Sequence, residues 1–204
     1  REQEDLSGRP SEACLREKLG TYYDRRMLFD GAFQNGEQFR YGALNAGGPG
    51  LVTKFGMFCI VLDKDFLDRI EPAYLKDDSL FACFNARVEV DLSKVGSIVA
   101  PHSHRHVLAA IKHFDVIPTA SDKEWARHIL NDNSYIEAIF TARFSREDIH
   151  KIKVMKGNYD ELWDLAFSDF GKKLTGAEKA LVFDFTTIVK GGKLGFFVLE
   201  VLST

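Results

Sequence analysis

Two apolar, β-rich runs lie late in the sequence, residues 181–189 and 194–202, and Lys190-Gly191-Gly192-Lys193 stands between them. Adjacent glycines supply the positive φ angles that a tight hairpin turn needs, so we predict that the two runs pair as antiparallel strands. Other stretches of the chain carry apolar residues at helical spacing. The combination predicts an α+β domain with an antiparallel β-sheet core and flanking helices.

Apolar residues recur at helical spacing near the start of the sequence. In residues 11–29 they are Leu15, Leu19, Tyr22, Tyr23, Met27 and Leu28. This spacing predicts one amphipathic helix with an apolar stripe. We also predict helices over residues 105–114, 125–130 and 160–174, and a short helix that ends at Ile70 because Pro72 follows.

Shorter apolar runs predict extended structure. Strands are expected over residues 39–45 and 134–142, and extended segments over residues 79–92 and 95–100. Residues 54–62 are nearly all apolar, which is typical of a strand buried on both faces. We therefore predict that this strand is central in its sheet.

Composition narrows the class of protein. The chain has 204 residues, 45% of them hydrophobic and 28% charged, so we expect one globular domain over residues 1–204. The net charge of -3 is interleaved, and no run approaches the roughly 20 apolar residues of a membrane span, which excludes nucleic acid and membrane as expected partners. The acidic start is unlike a signal peptide, and three cysteines without a CxxC pair indicate reduced thiols.

Glu137 is the residue that points most directly to chemistry. It stands in the predicted strand Tyr135-Ile136-Glu137-Ala138-Ile139-Phe140, on the face that it shares with Tyr135 and Ile139. A carboxylate among apolar neighbours is costly unless it is paired or used, and such groups are common at functional sites. The structural alternative is an edge-strand glutamate that faces solvent or binds a basic neighbour.

Four further side chains suit a nucleotide ligand. Arg40 stands between two aromatic residues, where a guanidinium can bind phosphate oxygens in bidentate fashion, or else it is an exposed strand arginine. Tyr41, Phe55 and Tyr135 are candidates to stack on a planar ring, although most aromatic residues in such a chain fill the core. Geometry must decide between these alternatives.

Alternating histidines in His102-Ser103-His104-Arg105-His106 raise the question of a zinc site. No carboxylate or cysteine follows at ligand spacing, so we expect a solvated loop or helix start and no metal. A Gly-x-Ser-x-Gly nucleophile motif is also absent from the sequence, which argues against a serine hydrolase.

Several blocks of sequence, in this order, resemble a known family. They are Leu28-Phe29-Asp30-Gly31-Ala32-Phe33, Tyr41-Gly42-Ala43-Leu44-Asn45, Lys54-Phe55-Gly56, Asp78-Ser79 and Tyr135-Ile136-Glu137-Ala138. Together they are similar to bacterial proteins of the mono-ADP-ribosyltransferase superfamily, in particular the secreted effectors that ADP-ribosylate a threonine of host ubiquitin. The resemblance implies an ADP-ribosyltransferase-like fold, NAD as co-substrate and a protein as acceptor.

The resemblance also implies roles for individual residues. Glu137 matches the catalytic glutamate, whose carboxylate stabilises positive charge on the ribose as the bond to nicotinamide breaks. The arginine that holds NAD is either Arg1 or Arg40. The supporting serine is Ser79, Ser7 or Ser11. Residues that the resemblance assigns to NAD contacts also include Tyr41, Asn45, Phe55 and Tyr135.

Residues 119–133 lie where the family places its target-recognition loop, directly before the catalytic glutamate. Trp125 and Arg127 are the expected exposed anchors for the target protein, and the alternative is that Trp125 packs inward from a short helix. Tyr135 stands two residues before Glu137, where arginine-modifying members carry Glu or Gln. The resemblance therefore implies that the acceptor is a hydroxyl group. It also implies a bacterial effector or toxin, a virulence factor that acts in the host cytosol. The alternative functions are an NAD glycohydrolase and a non-catalytic protein-binding module.

Overall fold

The computed structural model describes residues 12–46, 58–116, 119–131, 133–155 and 198–202. The predicted helix over residues 160–174 lies outside these residues, as do the first strand of the predicted late hairpin, residues 181–189, and its turn. The chain divides into two compact units, each built from three segments. The first unit is Arg1–Leu44, Pro72–Lys112 and Tyr135–Ala142, and the second is Asn45–Glu71, His113–Ser134 and Arg143–Thr204. One domain over the whole chain stays a prediction.

Helices and strands are interspersed along the described chain. The helices are α1 (Glu12–Leu19), α2 (Tyr23–Gly31), α3 (Lys64–Ile70), α4 (Ser79–Ala82), α5 (Leu92–Ile98), α6 (Arg105–Lys112) and α7 (Asp122–Ile129). The strands are β1 (Arg40–Ala43), β2 (Phe58–Leu62), β3 (Ala73–Leu75), β4 (Val99–Ala100), β5 (Glu137–Phe140), β6 (Ile149–Met155) and β7 (Val198–Leu202). The mixed α+β class is confirmed, and so are the predicted helices that became α3, α6 and α7.

The first unit contains a sheet in the order β1-β5-β3-β4, and all of its pairs are antiparallel. Strand β5 lies between β1 and β3, so that Glu137 pairs with Ala43 on one side and with Leu75 on the other. Because side chains alternate along a strand, Glu137 shares its face with Leu75 and Ile139, which belong to the apolar core cluster. The predicted antiparallel sheet is therefore present in this unit.

The second unit contains a sheet in the order β2-β6-β7. Strands β2 and β6 are antiparallel, whereas β6 and β7 are parallel, so this sheet is not wholly antiparallel. The prediction of a central strand buried on both faces is wrong for the described residues of β2. Among the described strands it pairs with β6 alone, and Ile60 is 47% exposed.

The predicted helix over residues 11–29 is divided in two. Gly20 has a φ of 53° and begins a 3-10 turn, Gly20–Tyr22, between α1 and α2. The turn changes the phase of α2, so the buried side chains of that helix are Tyr23, Arg26 and Phe29. Met27 and Leu28, predicted to belong to the apolar stripe, are exposed, as is Tyr22 in the 3-10 turn.

The two predicted extended segments, residues 79–92 and 95–100, are largely wrong because side-chain caps start helices there. The Asp78 carboxylate accepts a hydrogen bond from the Leu80 N–H and begins α4. The Asp91 carboxylate accepts from the N–H groups of Ser93 and Lys94 and begins α5. Aspartate at an N-cap satisfies N–H groups that the helix itself cannot, which outweighs the strand propensity of the following residues.

Candidate functional site

Glu137 begins β5 and points into the apolar side of its sheet. It is 3% exposed, and its neighbours along the chain, Ile136 and Ala138, are buried as well. A carboxylate in this position must be compensated because its ionised form loses the solvation of water. Of the structural alternative, an edge glutamate that faces solvent is therefore wrong, whereas a basic neighbour, Arg26, does bind this carboxylate.

Both carboxylate oxygens of Glu137 are hydrogen-bonded. The Ser79 backbone N–H donates to Oε2 at 2.8 Å, and the Arg26 Nη2 donates to Oε1 at 3.3 Å. The Arg26 Nη1 also donates to the Ser79 hydroxyl at 3.1 Å. Arginine, serine and glutamate thus form a closed, buried triangle of polar groups within the first unit.

Arg26 is the residue that sequence reasoning missed. It is 8% exposed, and its guanidinium carbon lies 3.5 Å from the centre of the Tyr41 ring, a cation–π arrangement. The Tyr41 hydroxyl donates a hydrogen bond to the Asp30 carboxylate, which fixes the ring beneath the guanidinium. An available signal was its position in Tyr23-x-x-Arg26-x-x-Phe29, where an arginine stands on the apolar stripe of a helix.

Ser79 stands beside Glu137 because the short segment before it is held in place. Its N–H lies in the first turn of α4, where the helix offers no acceptor, and the Glu137 carboxylate takes that place. The N-cap residue Asp78 also accepts a hydrogen bond of 2.7 Å from the Tyr135 hydroxyl. Tyr135, Ser79 and Glu137 are therefore brought together as predicted, although Ser79 is on a helix and not on a strand.

Burial and the ion pair with Arg26 have opposite effects on the pKa of Glu137. Burial raises the pKa of the Glu137 carboxyl, whereas the Arg26 guanidinium and the two groups of Ser79 hold that pKa back towards its ordinary value. Burial also raises the pKa of the nearby Cys83 thiol, to about 11, so this thiol is protonated at neutral pH. The nucleophilic or electrostatic group available at this site is the carboxylate and not the thiol.

Among the described residues of the first unit, Arg40 is a predicted site residue that lies away from this triangle. Arg40 pairs with Phe140, whereas its neighbour Tyr41 pairs with Ile139, which is on the same face as Glu137. Because side chains alternate along a strand, the Arg40 side chain lies on the opposite face of the sheet. Asn45 belongs to the second unit. Arg1 and Phe55, together with the alternatives Ser7 and Ser11, lie outside the described residues.

The predicted target anchors lie on α7 in the second unit. Arg127 is exposed, as expected of an anchor. Trp125 is half-buried and lines a small cavity with His113, Val116, Ala120 and His128. The capping box between Ser121 and Glu124 starts the helix that carries both residues. The indole is thus largely engaged by its own unit, in line with the alternative of inward packing.

Metal-binding clusters and membrane-spanning helices are both absent from the described part of the chain. No group of three or more His, Cys, Asp or Glu residues there is placed to hold a metal ion. No helix among the described residues has both the length and the apolar character to cross a membrane. Comparison with family models, with curated proteins and with solved structures finds no match to this chain. The function of this protein is therefore inferred from the geometry of its site.

Proposed function

We propose that this protein is an NAD-dependent mono-ADP-ribosyltransferase that modifies a hydroxyl group of a protein. The observation that supports the proposal is the buried triangle of Arg26, Ser79 and Glu137. An arginine, a serine and a glutamate in this chain order are the residue types that the sequence resemblance implies. The structure supplies Arg26 as a third candidate for the arginine, beside Arg1 and Arg40.

The chemistry of these groups suits the cleavage of a nicotinamide–ribose bond. NAD carries a positively charged nicotinamide that leaves with the bonding electron pair, and positive charge develops on the ribose. The fixed Glu137 carboxylate stabilises that charge, and Arg26 supplies a cation for the pyrophosphate. The acceptor hydroxyl oxygen then forms the new bond to ribose and releases its proton. Tyr41 and Tyr135 flank the charged groups with aromatic surface.

NAD must be able to reach Glu137 and Arg26 for this reaction to occur. Glu137 is 3% exposed and Arg26 is 8% exposed, so neither reaches a ligand of the size of NAD until the groups covering them move. Of the three hydrogen bonds in the triangle, the one between Arg26 and Glu137 is the longest, at 3.3 Å. When this hydrogen bond opens, the Arg26 guanidinium keeps its contact with the Tyr41 ring. We therefore assign the closed triangle to the resting protein and its opening to NAD binding.

The test is incubation of the protein with labelled NAD, with and without ubiquitin. A threonine of ubiquitin is the first acceptor to examine, and the proposed setting is a bacterial effector acting in the host cytosol. We expect label on ubiquitin from the wild type and at least a 100-fold loss in Glu137→Gln, since removal of an electrostatic stabiliser costs about 10²–10³ in kcat. Mass spectrometry of the product identifies the modified residue.

Glu71→Gln is the matched control because Glu71 is exposed and belongs to the second unit. It should label ubiquitin at the rate of the wild type. Release of free nicotinamide without labelled protein would show that the protein hydrolyses NAD and does not transfer ADP-ribose. No NAD turnover at all, with a folded wild type and a panel of cytosolic proteins as acceptors, would reject enzymatic function and leave a protein-binding module.

A further inference from the structure

We propose that Lys112 is a positioning residue that holds Ser79 and Glu137 in register for the reaction. The inference rests on the proposed function, because it names a residue that acts through the carboxylate. Lys112 ends α6, outside every sequence block that resembles the family. It is not expected to touch NAD or the acceptor, and it acts on the two segments that carry the site.

The Lys112 ammonium is surrounded by acceptors from both of those segments. Its side chain is 12% exposed. It donates to the Asp77 carboxylate at 3.0 Å, to the backbone carbonyl of Tyr135 at 2.7 Å and to the backbone carbonyl of Lys76. One cation therefore joins residues 76–77 to the entry of β5. An ammonium has three donors, so these contacts use its full capacity.

The contacts of Lys112 and those of the site form one connected assembly. Residues 76–77 lead directly into Asp78, which starts α4 and accepts from the Tyr135 hydroxyl at 2.7 Å. Ser79 follows and donates its N–H to Glu137, two residues after Tyr135. Lys112 and the Tyr135–Asp78 hydrogen bond thus join the same two segments at two points. The Ser79–Glu137 distance of 2.8 Å depends on both connections.

Loss of Lys112 has a defined consequence for Glu137. Without the ammonium, the segment that carries Ser79 is no longer tied to β5, and the hydrogen bond to the carboxylate lengthens. The Ser79 N–H and hydroxyl and the Arg26 guanidinium lower the pKa of Glu137, whereas burial and the Asp78 charge raise it. Weaker contact with Ser79 therefore raises the pKa of Glu137 further. A higher pKa of Glu137 in a Lys112 variant thus distinguishes loss of positioning from a general loss of stability.

The test compares Lys112→Met and Lys112→Arg with the wild type. We expect kcat for NAD cleavage to fall by about 10- to 100-fold in Lys112→Met with little change in KM, as is typical when a catalytic group is misplaced. Carbon-13 NMR of the glutamate carboxyls, with Glu137→Gln for assignment, should show a higher pKa for Glu137. Lys112→Arg keeps the positive charge, so its kcat and its Glu137 pKa should both lie between those of Lys112→Met and those of the wild type.

Lys94→Met is the matched control. The Lys94 ammonium also donates to a backbone carbonyl in the first unit, that of Phe84 at 2.7 Å, and this bond does not involve residues 76–79 or Tyr135. It should lower the melting temperature without changing kcat or the pKa of Glu137. If Lys112→Met does not fold, Asp77→Asn weakens one Lys112 contact and is judged by the same two quantities.

A folded Lys112→Met variant with wild-type kcat and an unchanged Glu137 pKa would overturn the inference, even if its melting temperature fell. An inactive wild type would instead reject the proposed function. The NMR measurement needs no NAD, so it still tells whether Lys112 positions the carboxylate. The two failures are therefore distinguishable.

Discussion

Glu137 and Arg26 show how a buried charge is tolerated at the scale of single residues. Two charges removed from water each carry a desolvation penalty, and their attraction offsets it only when the geometry and additional hydrogen bonds are good. Here the Ser79 N–H donates a further hydrogen bond to Glu137, and the Tyr41 ring makes a cation–π contact with Arg26. Such a pair is weak evidence for stability, and the role of Glu137 and Arg26 in catalysis stays a proposal.

The pKa of Glu137 predicts how stability depends on pH. Because the folded state raises this pKa, folded protein binds a proton more tightly than unfolded protein does. The stabilisation from Glu137 is therefore complete below the ordinary pKa of 4.5 and is lost as pH rises through the folded-state value. We expect the free energy of unfolding of the wild type, relative to Glu137→Gln, to decrease from pH 4 upwards.

Urea denaturation of both proteins at several pH values measures this difference. The subtraction removes the contributions of the other titrating groups, among them Asp30, whose pKa burial also raises. A difference that increases with pH would mean that Arg26 attracts the carboxylate more strongly than burial disfavours it. In that case the folded protein holds Glu137 with a lowered pKa.

At the scale of elements, two aspartate caps decide the structure on either side of Cys83. The caps at Asp78 and Asp91 start α4 and α5 in stretches with the composition of strands. The cap at Asp78 has a further consequence, since it turns the Ser79 N–H towards Glu137. A local signal of two or three residues therefore both replaces a predicted strand and builds the site.

Substitution of the two caps should have unequal effects. Asp78→Ala removes a helix cap and the acceptor of the Tyr135 hydroxyl, and should cost about 2–3 kcal/mol of unfolding free energy. Asp91→Ala removes a cap whose partners, Ser93 and Lys94, lie on its own helix, and should cost less. Thermal or chemical denaturation of the two variants gives the comparison. Equal losses would show that the Asp78–Tyr135 bond adds nothing.

At the scale of the whole molecule, each compact unit is assembled from three separate stretches of sequence. Arg26 and Glu137 are 111 residues apart in the chain, and Ser79 is 58 residues from Glu137. The site therefore has no local precursor, since α2, α4 and β5 must all be in place. This dependence explains why no short motif announces the complete constellation.

The discontinuous first unit predicts the outcome of a truncation. A chain that ends at Lys112 retains β1, β3 and β4 but lacks β5, which lies between β1 and β3. We expect this fragment not to form the sheet, because two of the three strand pairs involve β5. A collapsed amide spectrum in two-dimensional NMR is the expected result. A well-dispersed spectrum would show that the first unit folds without its third segment.

The sequence by itself determined the features that depend on local pattern. Helical spacing located α6 and a proline ended α3, while a carboxylate among apolar residues in β5 identified Glu137 as buried or functional. These conclusions hold because periodicity and neighbouring polarity are properties of a few adjacent residues. The sequence also proposed Ser79 and Tyr135 for the same site, through a resemblance of blocks and not through spacing.

Only the tertiary structure decided which arginine meets Glu137. A positive φ at Gly20 sets the phase of α2 and turns Arg26 inward, and the register of β1 against β5 puts Arg40 on the opposite face. One residue of shift in the register of β1 would exchange its inward and outward side chains, and one residue of shift in α2 would rotate its side chains by about 100° around the helix. Helix phase and strand register follow from the packing of distant segments, so the sequence offered Arg1 and Arg40 for NAD and could not show that Arg26 contacts Glu137.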